Sequence, residues 1–399
     1  MKILYLETGT FGGGSFESLY QMLKVINRKR FSPIVAFLNA NRICGQLDEI
    51  DVGYYVFSDP VYSRNFGRIM NKSLSKMSQK IGIFSGFLSV IYEFLTHNNT
   101  IRVLTEIVKK HSIEILHLND QINRDFFALF VAKRTGIKCV SHLRSPDTYG
   151  FNKKKSILAN GVVVHYIACS EWIMDLWANC GVAREKISVV PNGIDISKQI
   201  EAIDLHARYN IPRDNAIIGC VGTLIPNRGY DFMIRSFAKL VEVFPKAKLL
   251  IVGDGSERMF RELKGIANSL RIGDRITFAG FDKNGKGIIA GLDVLVLPYR
   301  NEAFGRTLLE AWLAKTPVIA TNFGNMNRIV NHGYNGMLVS YGDTESLNRS
   351  LLEILKNKQI GEGLRRGGYE TVKERFGIQG HVGEIERIYS VIQTNSDVS

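Results

Sequence analysis

The chain has 399 residues, of which 45% are hydrophobic, so it can bury more than one core. Its formal net charge of +13 favours an anionic partner: a nucleic acid, a membrane surface or a phosphorylated substrate. No run is long and apolar enough to span a bilayer, and the short apolar N-terminus predicts a buried strand rather than a signal peptide. The five cysteines lack metal-ligand spacing, which indicates reduced thiols in a cytosolic protein.

Short apolar runs alternate with helix-length segments. One series extends from KILYL to ISVVPNGI, and a second extends from AIIGCVGTL to GMLVSY. Apolar strands separated by helices predict parallel sheets covered on both faces. We therefore predict two doubly wound, Rossmann-like α/β domains at 1–197 and 213–376, with a linker at about 197–213. Residues 377–399 are predicted to form an amphipathic helix.

A basic segment follows the first strands. Positive residues recur every four positions, and apolar residues follow the same spacing with an offset of two, which places the two sets on opposite sides of a helix. This pattern predicts an amphipathic helix that can lie on an anionic membrane, and an ordinary surface helix packed on its own domain is the alternative. The positive residues are Arg64, Arg68, Lys72, Lys76 and Lys80.

Several motifs predict sites for an anionic ligand. Glycines 12 to 14 remove side chains where a ligand could approach a helix start, and Gly253 in IVGDG offers a second such turn. Arg228, just before a glycine and a helix, could make bidentate contacts to phosphate oxygens or could be a solvated turn residue. His142 ends a strand in CVSHLRS, where it could face a ligand or complete a structural hydrogen bond.

The stretch NEAFGRTLLEA follows the strand-like run LDVLVLPY. A helix is predicted to begin near Gly305, with Glu302 in the loop before it and Glu310 in its second turn. The free N–H groups of a helix N-terminus bind phosphate well, and flanking carboxylates can accept hydrogen bonds from hydroxyls. The alternative is that Glu310 pairs with Arg306 and Glu302 is a plain loop residue.

With these motifs in view, the chain resembles retaining glycosyltransferases of the GT-B fold, family 4, over nearly its whole length. The two glutamates, spaced as Glu–seven residues–Glu, carry the resemblance together with VGTL…RG, VGDG, AGF, DVLVLP, FGRTLLEA, PVIATN and NGMLV in order. The resemblance implies two domains that face a central cleft, an N-terminal acceptor-binding domain, a C-terminal nucleotide-sugar-binding domain and a C-terminal helix that packs back on the first domain.

The resemblance also implies roles for individual residues. Glu310 would hold the ribose hydroxyls, Glu302 would contact the transferred sugar, and Arg228 would neutralise the diphosphate. The backbone from Phe304 through Gly305 and Arg306 to Thr307 would cradle phosphate. Phe281 and Asp282 stand where the base is usually held, His142 matches a histidine beside the donor sugar, and Gly12, Gly13 and Gly14 match the loop near the acceptor and donor phosphate.

The sequence departs from the family pattern at three points. Thr223, expected to line the donor site, stands where arginine is common, and Arg306 is a candidate to supply the missing charge. Asn119 replaces the second histidine of a common HxH pattern that begins at His117. Gly324-Asn325 replaces a frequent glycine pair. These departures affect the identity of the donor and the geometry around its diphosphate rather than the fold.

The predicted reaction is therefore metal-independent, retaining transfer of a hexose-type sugar from a donor such as a UDP- or GDP-sugar, without a cofactor. The predicted acceptor is a glycan or lipid-linked hydroxyl at the inner membrane face, in cell-surface polysaccharide, lipopolysaccharide or glycolipid assembly, and no nucleic acid is expected. The alternatives are a nucleotide-sugar epimerase, a dinucleotide-dependent oxidoreductase, which would need the GxGxxG motif that neither glycine turn supplies, and a non-catalytic nucleotide-sugar binder.

Overall fold

The structure, a computed structural model, describes residues 1–9, 14–38, 44–57 and 84–394. Two of the predicted features, the basic segment at 64–80 and the glycines at 12 and 13, lie outside these residues. The chain divides into two compact units. Unit 1 comprises Met1–Gly193 and Ile378–Ser399, and unit 2 comprises Ile194–Gly377. The stretch predicted as a linker belongs to unit 2 and contains a short helix, Leu205–Arg208.

Within the described residues, unit 1 contains a parallel sheet of seven strands in the order β3-β2-β1-β4-β5-β6-β7. The order reverses direction between β1 and β4, which lie side by side at the centre. The strands are β1 (Lys2–Glu7), β2 (Ser32–Phe37), β3 (Tyr54–Val56), β4 (Ile115–Leu118), β5 (Lys138–Leu143), β6 (Val163–Ala168) and β7 (Ile187–Val189). The helices are α1 (Gly14–Val25), α2 (Phe84–Thr96), α3 (Asn98–His111), α4 (Ala128–Thr135), α5 (Lys153–Val162), α6 (Glu171–Asn179) and α15 (Ile378–Thr394).

Helix α15, the last in the chain, belongs to the core of unit 1, as the sequence predicted. Its buried face, which includes Ile385 and Tyr389, joins the cluster formed by β1, α1 and β2. The ring of Tyr389 lies 5.7 Å from that of Phe31. Burial of this apolar stripe holds the C-terminal segment in unit 1.

Unit 2 repeats the architecture with six described strands in the order β10-β9-β8-β11-β12-β13. All of its strand pairs are parallel, and the order reverses between β8 and β11. The strands are β8 (Ala216–Val221), β9 (Ala247–Val252), β10 (Ile276–Gly280), β11 (Val294–Leu297), β12 (Val318–Thr321) and β13 (Met337–Val339). The helices are α7 (Leu205–Arg208), α8 (Tyr230–Val243), α9 (Glu257–Ser269), α10 (Gly285–Ala290), α11 (Arg306–Leu313), α12 (Met326–Ile329), α13 (Thr344–Lys356) and α14 (Lys358–Arg375).

Local sequence explains where many of these helices begin. The side chains of Asn152, Ser170, Ser256, Asp343 and Asn357 accept hydrogen bonds from free backbone N–H groups in the first turns of their helices. The central strands are largely apolar because both of their faces are covered, as in β4 and β11, where every residue is buried. No helix in the described ranges is long and apolar enough to cross a bilayer.

Candidate active site

In unit 2, the loops after β8 and β11 meet at the point where the strand order reverses. Ligands of open α/β sheets bind outside the carboxyl ends of the strands at such a point. The backbone N–H of Arg300 donates to the carbonyl of Asn227 across 2.9 Å. At Gly229, where φ is 66°, a Cβ atom would stand 1.8 Å from the carbonyl oxygen of Pro298, so the close approach of the two loops requires glycine.

This contact brings Arg228 to Glu302. Nη1 of Arg228 donates to Oε2 of Glu302 across 2.6 Å, and Oε1 of Glu302 accepts from the N–H of Phe304 at 3.3 Å. The guanidinium carbon lies 4.2 Å from the ring centroid of Tyr299, a cation–π distance. The side chains of Arg228 and Glu302 are 26% and 13% exposed, so both can be reached by a ligand.

Helix α11 begins one residue after Gly305, which adopts φ of 100°. A Cβ atom there would meet the terminal methyl of Met326 at 2.2 Å, so glycine allows both the turn and the packing. Glu310 lies in the second turn, and its Oε1 is 3.9 Å from Nη2 of Arg306. The sequence placed the two glutamates on either side of this helix N-terminus, and the structure has them there.

The loop after β12 supports the loop that carries Glu302. Asn325 donates through its side chain to the carbonyl of Phe304 at 3.0 Å and through its backbone N–H to the carbonyl of Glu302 at 3.1 Å. A Cβ atom at Gly324, where φ is 61°, would lie 2.6 Å from the same Glu302 oxygen. Gly324-Asn325, which stands in place of the family's glycine pair, thus keeps the glycine that this close contact requires. The asparagine holds the loop that carries Glu302 through its hydrogen bonds.

Sequence analysis did not assign a role to Tyr299 or Asn325. Tyr299 follows Pro298 at the end of β11, so its position at the carboxyl edge was a usable signal. Asn325 was noted only as a departure from the family pattern. Its role, hydrogen bonding to the loop that carries Glu302, depends on the path of that loop, which the local sequence around Asn325 does not encode.

The other residues predicted to bind the donor lie farther along the same edge. Thr223 is exposed in the loop after β8. Gly253 adopts φ of 151°, and its missing Cβ would stand 1.9 Å from the carbonyl oxygen of Gly222, so this glycine is needed for packing between two loops of the protein. Phe281 is 65% exposed, and Asp282 forms an ion pair with Arg208. These last two residues follow β10, at the edge of the sheet.

In unit 1, His142 occupies β5 and is fully buried. Its Nδ1 lies 2.7 Å from Nε2 of His117 and 3.3 Å from Nη2 of Arg144. The chain continues from Nδ1 of His117 to the hydroxyl of Tyr389 at 2.5 Å, and from there to the hydroxyl of Tyr5 at 3.1 Å. Nε2 of His142 is buried and has no hydrogen-bond partner among the described residues.

Both histidines are neutral at physiological pH. Burial first, and then the charges of Arg144 and His381, lowers the pKa of His117 to about 3. Burial, followed by Arg144 and His117, holds the pKa of His142 well below its usual value. An imidazole that stays neutral binds by donating from one nitrogen and accepting at the other.

The reversal point of the first sheet carries a polar cluster. Glu7, at the end of β1, accepts hydrogen bonds from the N–H of Gly9, the hydroxyl of Ser15 and the side-chain amide of Asn119, just after β4. Burial first, and then the nearby Asp120, raises the pKa of Glu7 to about 7. Gly14, the described member of the glycine loop, begins α1. Nowhere in the described ranges do His, Cys, Asp and Glu side chains form a group that could hold a metal ion.

Comparison with known families agrees with this arrangement. Residues 202–371 match the family described as "Glycosyl transferases group 1", and residues 79–198 match "Glycosyltransferase Family 4". The chain is a glycosyltransferase of the GT-B fold and belongs to the family 4 type, which confirms the family and the fold that the resemblance named.

Among curated relatives, N-acetyl-alpha-D-glucosaminyl L-malate synthase of Bacillus anthracis is 26% identical over 72% of this chain and 77% of its own length. The UDP-Gal:alpha-D-GlcNAc-diphosphoundecaprenol alpha-1,3-galactosyltransferase of Escherichia coli is 23% identical over the same shares. The lipopolysaccharide core biosynthesis glycosyltransferase LpsE of Rhizobium meliloti is 28% identical over 48% of this chain and 54% of its own length.

Solved structures share the fold. Anabaena HepE in complex with UDP-glucose superposes with a TM-score of 0.80 at 20% identity, over 98% of this chain and 100% of that one. Sucrose-phosphate synthase of Thermosynechococcus elongatus superposes with a TM-score of 0.75 at 16% identity, over 99% and 100%. At these identities the likeness concerns the fold, two Rossmann-like domains of the GT-B type.

Proposed function

We propose that this glycosyltransferase transfers a sugar from a nucleotide-sugar donor to a hydroxyl group with retention at the anomeric carbon, without a metal ion or another cofactor. The observation that carries the proposal is the cluster at the reversal point of the second sheet, where Arg228, Glu302 and the N-terminus of α11 lie together. Its two carboxylates flank a site suited to a diphosphate.

The roles follow from chemistry and position. Arg228 and the free N–H groups of α11 stabilise the charge that develops on the departing diphosphate, which lowers the barrier because that charge is greatest in the transition state. Glu302 accepts hydrogen bonds from the transferred sugar, and Glu310 accepts them from the ribose. The Arg228–Glu302 bond, 2.6 Å in this structure, is then exchanged in part for contacts to the substrate.

For the donor base, a uridine nucleotide is the first candidate. The structural neighbour HepE was solved in complex with UDP and with UDP-glucose, and a related galactosyltransferase is named for UDP-Gal. Phe281 is exposed at the carboxyl edge of the sheet and could stack on a base.

For the acceptor, we propose a glycan or lipid-linked hydroxyl in the assembly of a cell-surface polysaccharide, lipopolysaccharide or glycolipid. Two relatives support this choice by name: the diphosphoundecaprenol-dependent galactosyltransferase and the lipopolysaccharide core enzyme. The net charge of +13 suits an anionic acceptor, and we propose that the enzyme works in the cytoplasm, peripherally on the inner membrane face.

Titration calorimetry against UDP, GDP, ADP, dTDP and NADH tests the donor site, and we expect selective binding of one nucleoside diphosphate. Incubation with the matching nucleotide sugars, with and without EDTA, then tests the reaction. We expect release of the nucleoside diphosphate that survives EDTA and, with an acceptor glycan, a product whose anomeric configuration by NMR equals that of the donor. An epimerised nucleotide sugar without transfer would show an epimerase instead, and binding of NADH alone would contradict the site assignment.

A further inference from the structure

The buried chain Tyr5–Tyr389–His117–His142 can be polarised in two directions. Each member has a group that can either donate or accept, so the three distances alone do not decide the direction. In one direction His142 is protonated on Nε2, and in the other it is protonated on Nδ1. The two states differ in what His142 offers through its unpartnered Nε2: a donor in the first and an acceptor, or base, in the second.

Arg144 removes this ambiguity. Its Nη2 lies 3.3 Å from Nδ1 of His142, and a guanidinium is always charged and can only donate. Nδ1 of His142 must therefore accept, so the proton of the neutral ring is on Nε2. His117 must then donate from its Nε2 to His142, which leaves its Nδ1 to accept from the hydroxyl of Tyr389.

The position of Arg144 is itself secured. It is 9% exposed, and its Nε donates to the carbonyl of Asn119 at 2.9 Å. Nη1 donates to the side-chain oxygen of Asn192, and Nη2 is also 3.4 Å from the side-chain oxygen of Asn119. A guanidinium held by neighbours on three of its nitrogens cannot turn away from His142 without breaking those bonds.

We propose that Arg144 and Tyr389 are positioning residues that hold His142 in its Nε2–H tautomer, so that His142 meets the substrate as a neutral hydrogen-bond donor to a hydroxyl or phosphate oxygen and not as a base. The inference rests on the proposed function in treating a sugar nucleotide as the substrate. It also assigns a role to the C-terminal helix: α15 carries Tyr389, whose hydroxyl donates to Nδ1 of His117 and so keeps the proton of that ring on Nε2. A buried Nε2–H without a protein acceptor is poised to bind a ligand oxygen, because leaving such a donor unpaired is costly.

The direct test is NMR of the full-length protein labelled with ¹⁵N at its eight histidines, with long-range ¹H–¹⁵N correlations that report the tautomer of each ring. His117→Gln and His142→Gln assign the signals of these two rings. We expect both rings to be neutral Nε2–H tautomers at pH 7. An Nδ1–H tautomer for either ring would overturn the proposal, and this readout needs no variant to fold beyond those used for assignment.

Two probes separate the sources of the ligand oxygen. UDP carries phosphate oxygens without the sugar, and UDP-glucose carries both. A shift of the His142 Nε2 signal with UDP-glucose alone assigns the donor bond to a sugar hydroxyl, and an equal shift with UDP assigns it to phosphate. No shift with either nucleotide, in an enzyme that transfers sugar from UDP-glucose, would contradict the proposed contact.

Variants test the two positioning residues. In Arg144→Gln the amide can donate or accept, so we expect a mixture of tautomers at His142 and a fall in kcat of about fivefold, the equivalent of one hydrogen bond. Arg144→Lys keeps a donor-only cation and should restore the single tautomer. If Arg144→Gln and the wild-type protein show the same tautomer at His142, Arg144 does not determine the tautomer.

Tyr389→Phe and Tyr5→Phe form a matched pair. Each deletes one buried hydroxyl, but in the assigned direction only Tyr389 donates to His117. We expect Tyr389→Phe to shift the His117 Nδ1 signal and lower kcat by about fivefold, with Tyr5→Phe within about twofold of the wild-type value. Equal effects of the two variants would show that the hydroxyls act only through packing.

Substitution of His142 itself separates a donor from a base. His142→Gln keeps an N–H donor and should retain measurable transfer, whereas His142→Leu should lose it. Equal loss in both would favour a base and overturn the proposal. The two possible failures are distinguishable. An Nδ1–H tautomer in an enzyme that transfers sugar would contradict this inference alone. Nε2–H tautomers in a protein that transfers no sugar would contradict the proposed function.

Discussion

The two units place their polar residues in opposite environments. In unit 1 the chain from Tyr5 to His142 is buried, neutral and bonded along its length. In unit 2 the pairs Arg228–Glu302 and Arg306–Glu310 are ionic and remain 13% to 26% exposed. Breaking the hydrogen bonds of a buried network costs much free energy, so such a network can hold a proton at one position during turnover. Partly exposed ion pairs contribute little to stability and can exchange partners with a charged substrate.

The largest expected effect is on the ionic site. Glu302→Gln keeps the size of the side chain but weakens its hydrogen bonds to sugar hydroxyls in the transition state. We expect kcat for sugar transfer to fall by about 10³-fold, with nucleotide affinity changed by less than about threefold. Steady-state kinetics and calorimetry measure the two quantities.

Glu310→Gln is the matched comparison for that variant. It should weaken nucleotide binding by about tenfold and affect kcat less, because its proposed partner is the ribose. Normal turnover in Glu302→Gln would contradict the role assigned to that residue.

The second effect concerns the turn that starts α11. Gly305→Ala forces a Cβ into a left-handed conformation and against Met326, so we expect it to lower the free energy of unfolding by about 2–3 kcal/mol and to weaken nucleotide binding. Urea unfolding and calorimetry measure both. Gly342→Ala is the control, since Gly342 has φ of 88° with open space around its missing Cβ. It should cost about 1 kcal/mol and leave binding intact, and equal costs at both sites would show that the contact with Met326 is unimportant.

The third effect concerns the diphosphate. Arg228→Lys keeps the charge but loses the planar fork and most of the stacking on Tyr299, so we expect about tenfold weaker binding of the nucleoside diphosphate. Binding of the unphosphorylated nucleoside should not change. Arg300→Lys serves as the control, because Arg300 bonds Asp231 and Tyr341. If both variants weaken binding of the nucleoside diphosphate to the same extent, Arg228 has no specific role in binding the diphosphate.

The smallest effect concerns the buried network and its pH dependence. The pKa of His117 is about 3 in the folded protein and about 6.5 when unfolded, so below pH 6.5 the unfolded chain binds a proton that the folded chain does not. The free energy of unfolding should therefore fall as pH drops from 6.5 towards 3.

His117→Gln should reduce that slope by at most about 1.4 kcal/mol per pH unit in urea titrations, the value for one proton. A slope unaffected by His117→Gln would show that this ring does not resist protonation in the fold.

The sequence alone was enough for the architecture and for the position of the two glutamates around the start of α11. Continuous apolar runs predicted buried parallel strands, because such strands have no solvent-facing side. Glu302, Gly305 and Glu310 lie within nine residues of one another, so their placement around a helix N-terminus follows from local structure and could be predicted from spacing.

The tertiary structure decided what depends on distant segments. The contact of Arg228 with Glu302 joins two loops 74 positions apart, and Asn325 acts through a third loop. The hydroxyls of Tyr5 and Tyr389 are separated by 384 positions, and no local pattern predicts that they meet. The direction of the hydrogen bonds from Tyr5 to His142 depends on Arg144, a side chain that can only donate. The position of a proton in such a network depends on the hydrogen-bond partners of all its members. That is the physical reason why the sequence could predict local placement, while only the fold could show which distant side chains contact one another.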